Sequence, residues 1–143
     1  MLCVIDANIY LSFLLKSFDS KSSPTRVVEL IVEGAFDILF PEETAGEIRT
    51  KVASKPYLRE FIDDVAVEDL IGTLSSLAIP LSDRQSAGVE IRDPDDAYLL
   101  DVTYSGAADY LISGDKDLHA VRTIVSWTRI VTPAEFLGIL QDM

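Results

Sequence analysis

Short apolar runs that break off at a polar or acidic residue alternate along this chain with stretches of helical periodicity, and that alternation restricts the fold more than any other feature. The first run, Leu2 to Ile5, ends in Asp6-Ala7-Asn8. It reads as a buried strand whose end delivers polar groups into a turn, with a helix following through Leu15. Ser23-Pro24 offers an N-cap and a proline at the first helical position, and Val27, Leu30, Ile31 and Gly34 follow at helical spacing, which predicts a second helix ending at Gly34. Phe36 to Phe40 is strand-like and stops at Pro41, after which a helix rich in early acids runs to about Ala53. Pro56 to Ala78 predicts one or two further helices, Ile79-Pro80-Leu81 a short edge strand, and Ser82 to Arg92 a loop. Asp93 and Pro94 open a helix through Tyr104, with Ala97, Leu100 and Tyr104 on one stripe. A strand from Ala108 to Ser113, a turn at Gly114, a short helix near Asp117, a strand from Arg129 to Val131 and a closing helix after Pro133 complete the pattern. Strands alternating with helices imply an α/β fold, a mostly parallel central sheet flanked by helices. No repeat or linker interrupts it, so one domain over residues 1–143 is expected.

Charge narrows the function. The chain carries 12 basic and 24 acidic residues, net −12, where a nucleic-acid binder usually presents a basic face. Such a balance repels phosphates at long range, yet it is also how a site built of carboxylates looks before its cations are counted. Arg49, Lys51, Lys55 and Arg59 lie close together in sequence, either as a local phosphate-facing patch or as the solvated side of a helix and its following turn. The amino terminus has no basic region before Asp6, and no uncharged apolar run reaches the ~18 residues a membrane span requires, so a soluble cytoplasmic protein is expected. Cys3 is the only cysteine, which excludes an internal disulfide and a thiolate metal site from this chain alone. A buried strand position is expected for it.

Asp6 and the Asp115/Asp117 pair fall just after predicted strands, where ligand sites gather in open α/β sheets. Glu47 and Asp96 lie on the helices that begin after Pro41 and Asp93. If such groups converge, two carboxylates ~4 Å apart repel by about 4 kcal/mol at an effective dielectric of ~20, and the cluster needs a cation. All-oxygen ligation selects hard ions such as Mg²⁺ or Mn²⁺, and with His119 the only histidine a zinc site is not expected. Each acid also has a structural account. Asp6 and Asn8 can cap the next helix, Asp93, Asp95 and Asp96 suit a first helical turn, Glu47 can pair with Lys51, and Asp115 and Asp117 suit a turn.

Order separates the accounts. A strand ending in Asp6-Ala7-Asn8, a helical Glu47, the run Arg92-Asp93-Pro94-Asp95-Asp96 and then Ser113-Gly114-Asp115-Lys116-Asp117 together resemble the PIN-domain family. The resemblance spans nearly the whole chain, ending with Ile130-Val131-Thr132-Pro133-Ala134-Glu135-Phe136-Leu137. It extends to the branch of toxin components related to VapC-type ribonucleases, in which the arginine, aspartate and proline before the third acid recur. The resemblance implies metal ligation by Asp6, Glu47, Asp96 and Asp115, with Asp117 as a fifth acid and Asn8 and Ser113 supporting through hydrogen bonds. It further implies Mg²⁺- or Mn²⁺-dependent hydrolysis of RNA, an antitoxin protein as partner, and a homodimer. Ser113-Gly114 stands where many relatives have threonine and another residue, which leaves the role of Asp117 open.

Two other readings compete. A haloacid-dehalogenase-like phosphatase also uses a strand-end aspartate with Mg²⁺, but it wants an acid where this chain has Asn8. A non-catalytic interaction module of the same fold has no need of all four acids. His119 is expected to be a surface or packing residue, and core packing is expected of Trp127, Tyr57, Tyr98, Tyr104 and Tyr110 in preference to base stacking.

Overall fold

A computed structural model describes residues 1–15 and 22–143. Its elements are β1 (Leu2–Ile5), α1 (Ala7–Leu14), α2 (Ser23–Val32), β2 (Asp37–Leu39), α3 (Glu42–Ser54), α4 (Pro56–Phe61), α5 (Asp64–Leu77), a 3-10 turn (Pro94–Asp96), α6 (Ala97–Ser105), β3 (Tyr110–Ile112), α7 (Lys116–His119), β4 (Arg129–Val131) and α8 (Pro133–Gln141). The strands form one four-stranded sheet in the order β2-β1-β3-β4, and every pairing is parallel. The fold is α/β with helices on both faces, as the alternation predicts. No described helix is long and apolar enough to cross a membrane.

The period of two along β1 sorts the core. Cys3 and Ile5 point to one face, where α1, α2, α3, α5 and α8 supply Tyr10, Val28, Ile48, Leu74 and Phe136. Val4 points to the other, against Leu99, Leu100 and Val102 of α6 and Leu118 of α7. Both faces are covered, so the central strands β1 and β3 carry no charged residue, while the edge strands β2 and β4 each begin with an exposed one, Asp37 and Arg129. Cys3 is fully buried, and burial together with the nearby Asp109 carboxylate pushes its thiol up to about 12. It is a packing residue.

Several expectations need correction. Ile79 to Leu81 do not form a strand, although the Ile79 N–H donates to the Ile38 carbonyl at 2.9 Å and so covers part of the β2 edge. One bond does not make a ladder, so no strand forms here. The N-cap of α2 is Ser22, whose hydroxyl accepts from the Thr25 N–H, and not Ser23. The stretch after Pro56 does form two helices, within the one or two expected, and it divides where Asp63 caps α5 by accepting from the Ala66 N–H. On α6 the buried residues are Leu99, Leu100, Val102 and Thr103, while Tyr104 is exposed and meets Trp127 edge to face.

The strand order has one consequence for function. From β1 the chain passes to β2 on one side and later returns to β3 on the other, which leaves a crevice between the carboxyl ends of β1 and β3. Open α/β sheets bind ligands at such a switch point.

Candidate active site

Asp6 and Ser113 form the two lips of that crevice. Each is the residue after its strand, and the sheet ladder runs on through both: the Asp6 N–H donates to the Ile112 carbonyl (3.0 Å) and the Ser113 N–H to the Val131 carbonyl (2.9 Å). Both side chains are buried, and the Ser113 hydroxyl donates to Asp6 Oδ2 at 2.7 Å. Asp6 Oδ1 accepts from the Asn8 N–H at 3.5 Å, so the aspartate also caps α1. Capping and site-building use different oxygens of one carboxylate, which has about four acceptor positions.

Above this pair opens a cleft of about 570 Å³ lined by Asn8, Glu43, Gly46, Glu47, Thr50, Lys51, Asp93, Asp95, Asp96, Tyr98 and Asp115. Glu47 enters it from α3, Asp96 from the end of the 3-10 turn, and Asp115 from the turn after β3. Asp115 is held by two local bonds: its N–H donates to Ser113 Oγ (2.9 Å) and its Oδ1 accepts from the Asp117 N–H (2.8 Å). The sequence places Asp117 with the acids, but among the cleft-lining residues its carboxylate does not appear, and its backbone serves Asp115. His119 donates from Nε2 to the Ser113 carbonyl at 2.6 Å, which clamps the turn and keeps the ring out of the cleft lining.

The acids act on one another. Burial raises the Asp6 carboxyl above its usual value; the Ser113 and Asn8 hydrogen bonds and the Lys51 charge oppose this, and Asp115 adds to it. Burial also raises Glu47, against a hydrogen bond from Tyr98 and the charge of Lys51, with Asp6 pushing the same way as burial. Asp96 is pushed up to about 7 by burial, by a hydrogen bond with Asp115 and by the charges of Asp6, Asp115 and Asp93.

Those observations bear on whether a divalent ion fits. The donors are hard oxygens, and the charges of Asp6, Asp115 and Asp93 that crowd Asp96 are ones a cation would relieve. Among the described residues no three His, Cys, Asp or Glu side chains are gathered tightly enough to chelate an ion as they stand. The acids nevertheless act on one another through their charges across the cleft.

Two more residues contribute, Tyr98, which the sequence did not mark as a site residue, and Lys51, which it marked as a partner of Glu47 and in a basic patch. Tyr98 reaches both Thr44 (3.0 Å between hydroxyl oxygens) and Glu47, and burial pushes its phenol up, so it stays a hydrogen-bond donor to the carboxylate. Lys51 turns into the cleft, where Nζ donates to Asn8 Oδ1 at 2.8 Å and lies 3.7 Å from Glu47 Oε2. Of Arg49, Lys51, Lys55 and Arg59 only Lys51 lines the cleft, and the other three are exposed, in keeping with the solvated-side alternative. Arg49 grips Glu68 with both arms of its guanidinium (3.0 and 2.8 Å), and Lys55 and Arg59 are exposed beyond it. The helical spacing of Glu47 and Lys51 was the signal for their pairing.

The family model described as PIN domain matches residues 3–117 of the chain. No curated protein and no solved structure matches it.

Proposed function

The chain belongs to the PIN-domain family, and on that premise, which carries a nuclease-type function, we propose that it is a Mg²⁺- or Mn²⁺-dependent endoribonuclease acting at the β1/β3 crevice. Asp6, Glu47, Asp96 and Asp115 hold the ion in this reading. The observation that carries it is the meeting of carboxylates from three separate chain segments around a buried aspartate from a fourth, at the switch point of the sheet. Without a cation that arrangement is self-repelling. A bound ion supplies Lewis acidity, making water acidic enough to attack a phosphodiester at neutral pH.

The protein's own groups orient the ligands. Ser113 and the Asn8 N–H hold the Asp6 carboxylate in one rotation, Tyr98 steers Glu47, and the Asp117 N–H and Ser113 Oγ fix the Asp115 turn. Hydrolysis then breaks one P–O bond, with water giving its oxygen to phosphorus and its proton to the leaving oxygen. The phosphatase reading is disfavoured by Asn8, whose Oδ1 is already taken by Lys51 and whose amide cannot serve as the second acid.

Residues 1–143 are proposed to form one domain, because β4 and α8 lie past the matched segment yet complete the sheet and the core. The chain is further proposed to be a toxin component related to VapC-type ribonucleases. Six carboxylates and a single ammonium line the cleft, which suits neutralisation by a partner that inserts basic side chains. With Mn²⁺ or Mg²⁺ the purified chain should cleave RNA, and EDTA should abolish cleavage. Asp6→Asn keeps volume and removes a ligand charge, so a folded variant should lose at least ~100-fold in rate. Wild-type cleavage by that variant, or cleavage that survives EDTA, overturns the reading.

A further inference from the structure

We infer that Lys51 stands in for a second cation, so that the protein holds one divalent ion, on the side of Asp6, Asp96 and Asp115, while the Lys51 ammonium permanently covers Glu47 and Asn8. This deepens the metal-dependent reading above and rests on it.

The placement of Lys51 distinguishes it from its basic neighbours. Arg49 is engaged with Glu68 away from the cleft, and Arg84 is engaged with Glu43 at the rim. Lys51 alone among the cleft-lining residues is a cation. An ordinary helical ion pair with Glu47 would explain the 3.7 Å contact one turn back on α3, but not the shorter one. That bond, 2.8 Å to Asn8 Oδ1, crosses to α1 and joins residues 43 positions apart. An amide oxygen and a carboxylate oxygen are the donors a hard ion would take, and here an ammonium already has them.

The other half of the site has no such cover. Asp6 receives the Ser113 hydroxyl and the Asn8 N–H, and among the described residues none of Asp6, Asp96 and Asp115 forms an ion pair. An ion entering there meets carboxylates that no ammonium or guanidinium among the described residues is bonded to. An ion entering beside Glu47 would meet a like charge that its covalent tether keeps within reach. Of the four acids proposed above for the ion, Glu47 is thereby narrowed to an outer role: it feels the single ion at longer range and serves chiefly to seat the lysine.

The test is Mn²⁺ titration of the full chain, followed by calorimetry and by the electron paramagnetic resonance signal of free Mn²⁺. Wild type should bind one ion per chain. Lys51→Met, close in volume and uncharged, should bind a second ion or hold the first at least ~10-fold more tightly. Lys51→Arg, which keeps the charge, should stay at one. Two ions on wild type, or a Lys51→Met protein unchanged in stoichiometry and affinity, overturns the inference while leaving metal dependence intact. A wild-type chain that binds no Mn²⁺ overturns the metal reading itself. Circular dichroism of both variants establishes that each is folded.

Discussion

At Asp96 burial and three neighbouring carboxylates act in the same direction, and the group is pushed up to about 7. In the unfolded chain the same carboxyl titrates near its ordinary value of 3.8. Between those values the folded chain holds a proton that the unfolded chain has released, so ν_U − ν_N is negative and stability falls as pH rises. Metal-free protein should therefore lose stability from about pH 4 to about pH 7, by at most about 4 kcal/mol for the whole shift, and level off above. Urea unfolding in EDTA at pH 5 and pH 7.5 measures this, and Asp96→Asn should flatten the difference. Parallel pH dependence in the two proteins would show that the general charge of the chain, and not this carboxyl, is responsible. The strand-end and turn acids were legible in the sequence because each sits at a local landmark: Asp6 after an apolar run, Asp96 after a proline turn, Asp115 after β3. Tyr98 was not, because what makes it part of the cleft is Thr44 on another element, and for Lys51 only the Glu47 pairing was legible, since its bond to Asn8 reaches a separate helix.

Elements show the same division between local and long-range information. The end of β4 and the start of α8 are written in Thr132-Pro133-Ala134-Glu135, and the structure completes the capping box: Thr132 Oγ1 accepts from the Glu135 N–H (3.1 Å) and Glu135 Oε1 from the Thr132 N–H (3.0 Å). Thr132→Ala should cost about 1 kcal/mol in denaturant unfolding, with the slope unchanged. A neutral result would mean that the burial of Phe136 alone holds the helix start. Where no cap and partner coincide, the sequence misleads. The stripe Ala97, Leu100, Tyr104 is a valid helical spacing, yet α6 lies against the sheet through Leu99, Leu100 and Val102. Gly106 sets that face: a Cβ there would come within 2.3 Å of the Leu39 side chain, so the helix end packs directly on β2. That approach belongs to the tertiary fold and leaves no mark on local periodicity.

For the whole molecule, alternation of strand and helix predicts a parallel sheet but not the order β2-β1-β3-β4, which depends on the edge to which each crossover returns. The crevice between β1 and β3, and with it the convergence of Asp6 and Asp115, is a property of that order. The net charge of −12 has to be judged at this scale too, because any added salt screens it and stabilises the chain without a site. An ion that binds only the folded protein adds about 2.7 kcal/mol when present at ~100 times its dissociation constant. Mn²⁺ at constant ionic strength should thus raise the melting temperature by roughly 5–10 °C, more than an equal ionic strength of NaCl does. Asp96→Asn should abolish that excess while keeping the response to NaCl, because it removes one donor from the cleft and leaves the remaining surface charge in place. If Mn²⁺ and NaCl act alike on wild type, the stabilisation is screening, and the acids of the crevice have been brought together without an ion to serve. If the excess persists in Asp96→Asn, an ion binds, but outside the set of carboxylates that the switch point assembles.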